Sequence, residues 1–357
     1  MLQWDLYCRV VDNFGDIGVA WRLAADLAGR GESVRLAVDD ASALAWMAPH
    51  GAAGVRVVGW HDGPSAVPDV VVELFGGGRP AGSWQHDERS RRAPVLVNVE
   101  HLTAERYAER SHGLPSPAER AGELPSTTWF YFPGFGPASG GLLREPGLLA
   151  RRSDFGDGDA WLASLGVAPR ADERRVSLFC YCNDAIDALL DALAATPTVV
   201  LATPGPATQQ LAARLGPSLV RGVLRAVALP LLSQVDFDRL LWSCELNLVR
   251  GEDSLVRAIW AGTPFLWQPY VQDDGAHLAK LGAFVDRYLA AAPTPLATAV
   301  RSAFARWNGD PEASMAVLST SGTMDSRWAT YALAWRDALA AEADLVTQLI
   351  AFVEGKR

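Results

Sequence analysis

Two carboxylates, Asp12 and Asp16, sit in the run Val-Asp-Asn-Phe-Gly-Asp-Ile-Gly at residues 11–18. The apolar stretch Leu6 to Val11 before it suits a buried strand, and residues 19–28 after it repeat at helical spacing. The acids therefore fall in the first strand-to-helix turn, and ligands of open α/β sheets gather at the carboxyl ends of strands. A dinucleotide turn would show Gly-x-Gly-x-x-Gly. This turn has Gly15 and Gly18, plus two acids that would repel a pyrophosphate. Its chemistry suits a cation or a hydroxyl-rich group, with any phosphate held elsewhere.

A second group able to do chemistry is Arg250-Gly251-Glu252-Asp253-Ser254, directly after the apolar run Leu246 to Val249. Glycine after a buried strand lets backbone approach a ligand closely. If Asp253 or Ser254 starts a helix, its N-terminus offers free N–H groups and partial positive charge. A diphosphate fits there, with the Ser254 hydroxyl as donor and Arg250 as countercharge. Glu252 suits a sugar hydroxyl better than a phosphate. The competing reading is a plain helix cap with Arg250 and Glu252 in a solvated pair. In the next segment, residues 267–274, Tyr270 could stack on a base while the amide of Gln268 or Gln272 reads its edge. Core packing and a helix cap explain that segment equally well. Phe179, Tyr181 and Asn183 end a further strand and offer another aromatic face.

The elements that must position these groups alternate. Strands are expected at Val34–Val38, Val55–Val58, Val70–Glu73 and Val95–Val99, with a helix at Ala41–Met47. Residues 111–160, rich in Pro, Gly and Ser, read as a loop-rich approach to a linker. Alternation restarts with strands at Val176–Tyr181, Thr198–Ala202, Leu246–Val249 and Pro264–Trp267. Helices fit at Asp184–Ala195, Ala207–Leu215 and 255–261, and the last eighty residues look helical. The expectation is an α/β protein of two Rossmann-like domains facing across a cleft. They would span 1–155 and 156–335, with a C-terminal helix at 336–357 packing back on the first.

A chain of 357 residues exceeds one ordinary core, which favours two domains. A net charge of -9 argues against direct nucleic-acid binding. Cys8, Cys180 and Cys244 lie in or beside apolar runs and read as buried reduced thiols. No His/Cys cluster has zinc spacing, so no metal and no cofactor is expected. No signal peptide or membrane-spanning run stands out, and the expected location is the cytoplasm.

Together, a diphosphate site in the second half and paired acids in the first describe a nucleotide-sugar glycosyltransferase of the GT-B type. The motifs then resemble one family closely. Residues 5–19, with Trp21-Arg22-Leu23-Ala24, are similar to the opening of the bacterial protein-arginine rhamnosyltransferases that modify translation elongation factor P. Further matches follow in order at 100–105, 112–116, 132–135, 140–145, 250–254 and 267–273. Residues 73–78 are more glycine-rich than the family pattern. The resemblance implies dTDP-β-L-rhamnose as donor and one arginine of elongation factor P as acceptor, with inversion at the sugar carbon and activation of the factor. Carried over, Asp12 and Asp16 are the acceptor-side acids and Glu252 the third important acid. Asn13, Phe14 and Gly15 belong to the same substrate-binding turn. Tyr181, Arg250, Gly251, Asp253 and Ser254 fall at donor-binding positions. Phe179, Gln268 and Tyr270 are the thymine candidates.

Magnitudes constrain the chemistry. Arginine titrates above ~12 and aspartate near ~3.9, so full prior deprotonation by an ordinary aspartate costs over ~11 kcal/mol. Asp12 and Asp16 more reasonably grip and aim the guanidinium, and one takes the proton as the C–N bond forms. Two rival readings stand beside this one. One is a glycosyltransferase with a small-molecule or lipid acceptor. The other is a non-catalytic nucleotide-sugar-binding partner of the translation factor.

Overall fold

The structure, a computed structural model, describes residues 1–357 except 13, 64–65, 81–92, 119–125 and 320–322. The chain divides into two compact units, Met1–Pro146 with Leu339–Arg357, and Gly147–Ala338. The first unit contains strands β1 (Gln3–Cys8), β2 (Ser33–Val38), β3 (Val55–Gly59), β4 (Val70–Leu74), β5 (Val95–Val99), β6 (Pro115–Ala118) and β7 (Ser126–Tyr131). Their order in the sheet is β3-β2-β1-β4-β5-β7-β6. All neighbours are parallel except β6 with β7. In β1, Trp4, Leu6 and Cys8 enter one core cluster, while Tyr7 enters another with Val71 and Leu96. Burial on both faces is the condition under which a parallel sheet is stable.

The second unit contains β8 (Arg174–Leu178), β9 (Thr198–Ala202), β10 (Val220–Arg221), β11 (Leu224–Ala228), β12 (Leu246–Arg250) and β13 (Phe265–Gln268). Their order is β10-β11-β9-β8-β12-β13, again parallel apart from the edge pair β10 and β11. In each sheet the first strand of the unit lies inside. β1 runs between β2 and β4, and β8 between β9 and β12. The chain winds outward on one side of the first strand and then returns to add β4, or β12, on its other side, and this reversal opens a crevice at the carboxyl end of the first strand. The turn after β1 carries Asp12 and Asp16. The segment after β8 carries Phe179 and Tyr181, and β12 beside it ends in Arg250.

Several expectations are corrected. The first strand ends at Cys8 instead of Val11, because the amides of Val10 and Val11 turn to Asp39 and Asp16 instead of the ladder. The loop-rich stretch 111–160 holds β6, β7 and the helices Leu148–Asp154 and Gly158–Ser164. The sequence of β7, Ser-Thr-Thr-Trp-Phe-Tyr, has the β-branched and aromatic residues of a strand, and the surrounding Pro and Gly obscured it. The first unit ends at Pro146 rather than 155, and it includes the C-terminal helix Leu345–Glu354. Leu345, Val346, Leu349 and Val353 of that helix join the core cluster of β1. Asp344 caps it by accepting from Thr347 N, and Arg30 pairs with the same carboxylate at 2.7 Å. Among the described residues no helix is long and apolar enough to cross a membrane.

Candidate active site

In the first unit the turn between β1 and the helix Gly15–Gly29 is built around its own acids. Asp16 is buried, and its Oδ2 accepts from Val11 N at 2.8 Å and Asp12 N at 2.9 Å. The carboxylate thus closes the turn and also sits in the first helical turn, where negative charge is favoured. Gly15 N donates to Asp12 O at 2.7 Å. A Cβ on Gly15 would stand 2.6 Å from Asp12 Oδ2, so a side chain there would make the Asp12 carboxylate swing away from the helix start. Phe14 is partly exposed and packs edge-on against Trp46 at 5.1 Å. Asn13 lies outside the described residues. Burial, together with Asp16 and Asp39, pushes the neighbouring Cys8 thiol well up, which keeps it protonated and inert.

In the second unit, Arg250 is the last residue of β12 and pairs in register with Gln268 of β13. Its guanidinium lies 4.6 Å from the Phe179 ring centre and 4.3 Å from that of Tyr181, and the residue is 7% exposed. Tyr270 meets Tyr181 edge-on at 5.7 Å and keeps about half its surface exposed. Gly251 has φ 68°, the left-handed region that favours glycine, and opens the helix Gly251–Ala261. Trp267 Nε1 holds the Gly251 carbonyl at 2.7 Å. A bidentate pair between Arg257 and Asp238, both buried, ties the same helix to Gln234–Trp242.

The expected roles need adjustment here. The helix begins at Gly251, not at Asp253 or Ser254, because the left-handed glycine makes the turn by itself. The Ser254 hydroxyl, expected to donate to a diphosphate, donates to the Arg250 carbonyl one turn back. The Gln268 amide, expected to read a base, reads the backbone. Its oxygen accepts from Tyr181 N at 2.9 Å and its nitrogen donates to Cys182 O at 3.3 Å. One face of Phe179 is covered by Arg250, and its edge packs on Phe237 at 5.6 Å. Asp253 stands in the first helical turn beside Glu252.

Two residues escaped the sequence reading. Gln210, on the helix Pro206–Leu215, accepts from Asn183 N at 2.7 Å and donates to Tyr181 O at 3.1 Å. With Gln268 it holds the backbone of residues 181–183 from two sides. Lys280, on the helix Ala276–Tyr288, forms an ion pair with Glu252. Neither residue belongs to a local motif, so no signal in the sequence points to them. Burial pushes the Cys180 thiol up to about 12, and Cys182 is exposed. Among the described residues, no group of three or more His, Cys, Asp or Glu side chains could hold a metal ion.

Two doubly wound units, an acid pair in one switch-point turn and an arginine-led helix start in the other, match one sequence pattern over nearly the whole chain. The pattern of the Elongation-Factor P (EF-P) rhamnosyltransferase EarP covers residues 4–354. The chain belongs to the EF-P rhamnosyltransferase family. A protein-arginine rhamnosyltransferase of Pseudomonas aeruginosa is 40% identical over 376 residues, spanning 99% of both proteins. A solved structure described as the structural basis for EarP-mediated arginine glycosylation of translation elongation factor EF-P superposes with a TM-score of 0.69. It is 30% identical, with full coverage of both chains. Phytolacca americana UGT2, solved with UDP-2fluoro-glucose and pterostilbene, shares the fold alone, with a TM-score of 0.53 at 12% identity over 100% of this chain and 99% of that one. This member of the EF-P rhamnosyltransferase family is thus an enzyme of the protein-arginine rhamnosyltransferase class, with a GT-B glycosyltransferase fold.

Proposed function

We propose that the protein transfers L-rhamnose from dTDP-β-L-rhamnose to one arginine side chain of translation elongation factor P, with inversion at the anomeric carbon. The second unit takes the donor. The N–H groups at the start of helix Gly251–Ala261 and the Arg250 guanidinium bind the diphosphate, and Glu252 accepts from a sugar hydroxyl. Tyr270, the aromatic with an open face, takes the thymine. In the first unit Asp12 and Asp16 grip the acceptor guanidinium from one turn. A guanidinium nitrogen attacks the anomeric carbon, the C–N bond forms and the bond to the β-phosphate oxygen breaks. dTDP leaves, and one of the two aspartates takes the proton as the nitrogen becomes acidic. Backbone dipoles and Arg250 absorb the negative charge of the leaving group.

The observation that carries this reading is the turn at Asp12–Asp16. Two carboxylates stand at one helix start, Asp16 bound to the amides of Val11 and Asp12 and Asp12 beside Gly15, which suits a cation and disfavours a phosphate. Incubation with dTDP-rhamnose and purified elongation factor P, followed by intact mass, is the test. Gain of one deoxyhexose on arginine is expected. An unmodified factor with intact dTDP binding would favour a different acceptor or a non-catalytic partner.

A further inference from the structure

The 250–254 motif carries a charge problem. Arg250, Glu252 and Asp253 sum to one net negative charge where a doubly charged diphosphate is to bind. The helix start offers only a partial positive charge of about one half. Lys280 supplies what is missing. Its ammonium pairs with Glu252, and the two side chains are largely buried, at 19% and 17% exposure.

Lys280 projects from a helix packed against the donor turn. Phe284, one turn further along the same helix face, packs on Trp267 at 5.2 Å, and Trp267 holds the Gly251 carbonyl through its indole N–H. One helix face therefore fixes the donor turn and delivers the ammonium to it. The residue type is informative too. Only two of the 32 basic residues are lysine, Lys280 and Lys356, and Lys356 lies over the Trp129 ring in the other unit. In a chain that uses arginine almost everywhere, a lysine at this position brings a compact point charge in place of a planar fork.

We propose that Lys280 is a positioning and charge-balancing residue of the donor site. It neutralises and orients Glu252 so that a carboxylate can serve the sugar while a diphosphate binds one residue away. The proposal rests on reading 250–254 as the diphosphate site. Calorimetry with dTDP and with thymidine tests it on the full chain. Lys280→Met should weaken dTDP binding about tenfold, because Glu252 then repels the phosphates, and should leave thymidine binding unchanged. Lys280→Arg, which restores the charge, should stay within about twofold of wild type for dTDP. In a Glu252→Gln background the same Lys280→Met change should cost less than about twofold, since no carboxylate is left to balance. Unaltered dTDP affinity in Lys280→Met would overturn the proposal. So would an undiminished loss in the Glu252→Gln background, which would make Lys280 a direct phosphate ligand. Failure of the wild-type protein to bind dTDP would instead sink the donor-site reading itself. Equal melting temperatures across the variants separate these outcomes from misfolding.

Discussion

Asp12 and Asp16 do unlike work in one turn. Asp16 closes the turn by taking the amides of Val11 and Asp12, whereas Asp12 is half-buried and held over Gly15. Asp16→Asn keeps the shape but offers one oxygen instead of two and removes a charge. Asp12→Asn removes the other charge. Each change should lower transfer to elongation factor P by ~10²–10⁴ with dTDP affinity nearly unchanged, the usual cost of losing a group that orients or accepts a proton. Near-normal single-turnover rates in both variants would remove the aspartates from the chemistry. Gly15→Ala probes the same carboxylate without touching its charge. The added methyl must push Asp12 Oδ2 away from 2.6 Å, so transfer should drop while dTDP binding persists.

Elements position these groups through contacts distant in sequence. The segment 181–183 is fastened by Gln210 from one helix and Gln268 from one strand, and Tyr181 in turn stacks on Arg250. Gln210→Met keeps the bulk and leaves the Asn183 N–H and the Tyr181 carbonyl without this partner. Weaker dTDP binding, by about tenfold, is expected, at ~1–3 kcal/mol for a polar group left unsatisfied. Unchanged calorimetry would show that the segment holds its form without the helix. In the first unit His112 is a titrating contact. Its Nδ1 accepts from Phe132 N at 3.1 Å, its ring packs on Tyr131 at 4.7 Å, and burial holds its pKa below the ordinary 6.5. The folded state keeps the imidazole neutral, while the unfolded chain protonates near 6.5. His112 therefore contributes fully above that pH, and the contribution is lost as pH falls from 6.5 through the lower folded value. Burial raises Asp5, Asp26 and Glu100 in the same unit, which acts in the opposite direction. Urea unfolding of wild type against His112→Gln cancels those shared terms. The stability gap should move against wild type between pH 7.5 and 5.5, and a constant gap would clear His112 of the role.

At the scale of the molecule, a net charge of -9 meets an acceptor whose reactive group is a cation. Attraction of that kind speeds encounter and is screened over about 8 Å at physiological ionic strength. Single-turnover transfer to elongation factor P should slow several-fold as salt rises. A factor with lysine in place of the target arginine should react poorly at any salt, because two carboxylates can orient a planar fork, whereas an ammonium is a mobile point charge with no fixed direction. Equal rates for both acceptors, without salt dependence, would mean that the acid pair does not read the guanidinium.

What the sequence determined by itself is local. Apolar runs of four to six residues, alternating with 3.6-period segments, set two doubly wound sheets. The turn signals placed Asp12, Asp16 and Arg250 at strand ends, since backbone pattern and turn chemistry act over a few neighbours. β7 escaped because proline and glycine around it outweighed six residues of strand-forming sequence. Tertiary structure alone decided how the polar groups are used. The Gln268 amide looks like a ligand contact from its place after β13, yet the backbone of residues 181 and 182 engages it. Gln210 and Lys280 look like ordinary helix residues, yet one shapes the aromatic segment and the other meets Glu252. The reason is physical. A hydrogen bond or ion pair is chosen by what lies within about 3 Å after the chain has folded, and partners 27 to 87 residues apart leave no trace in local spacing.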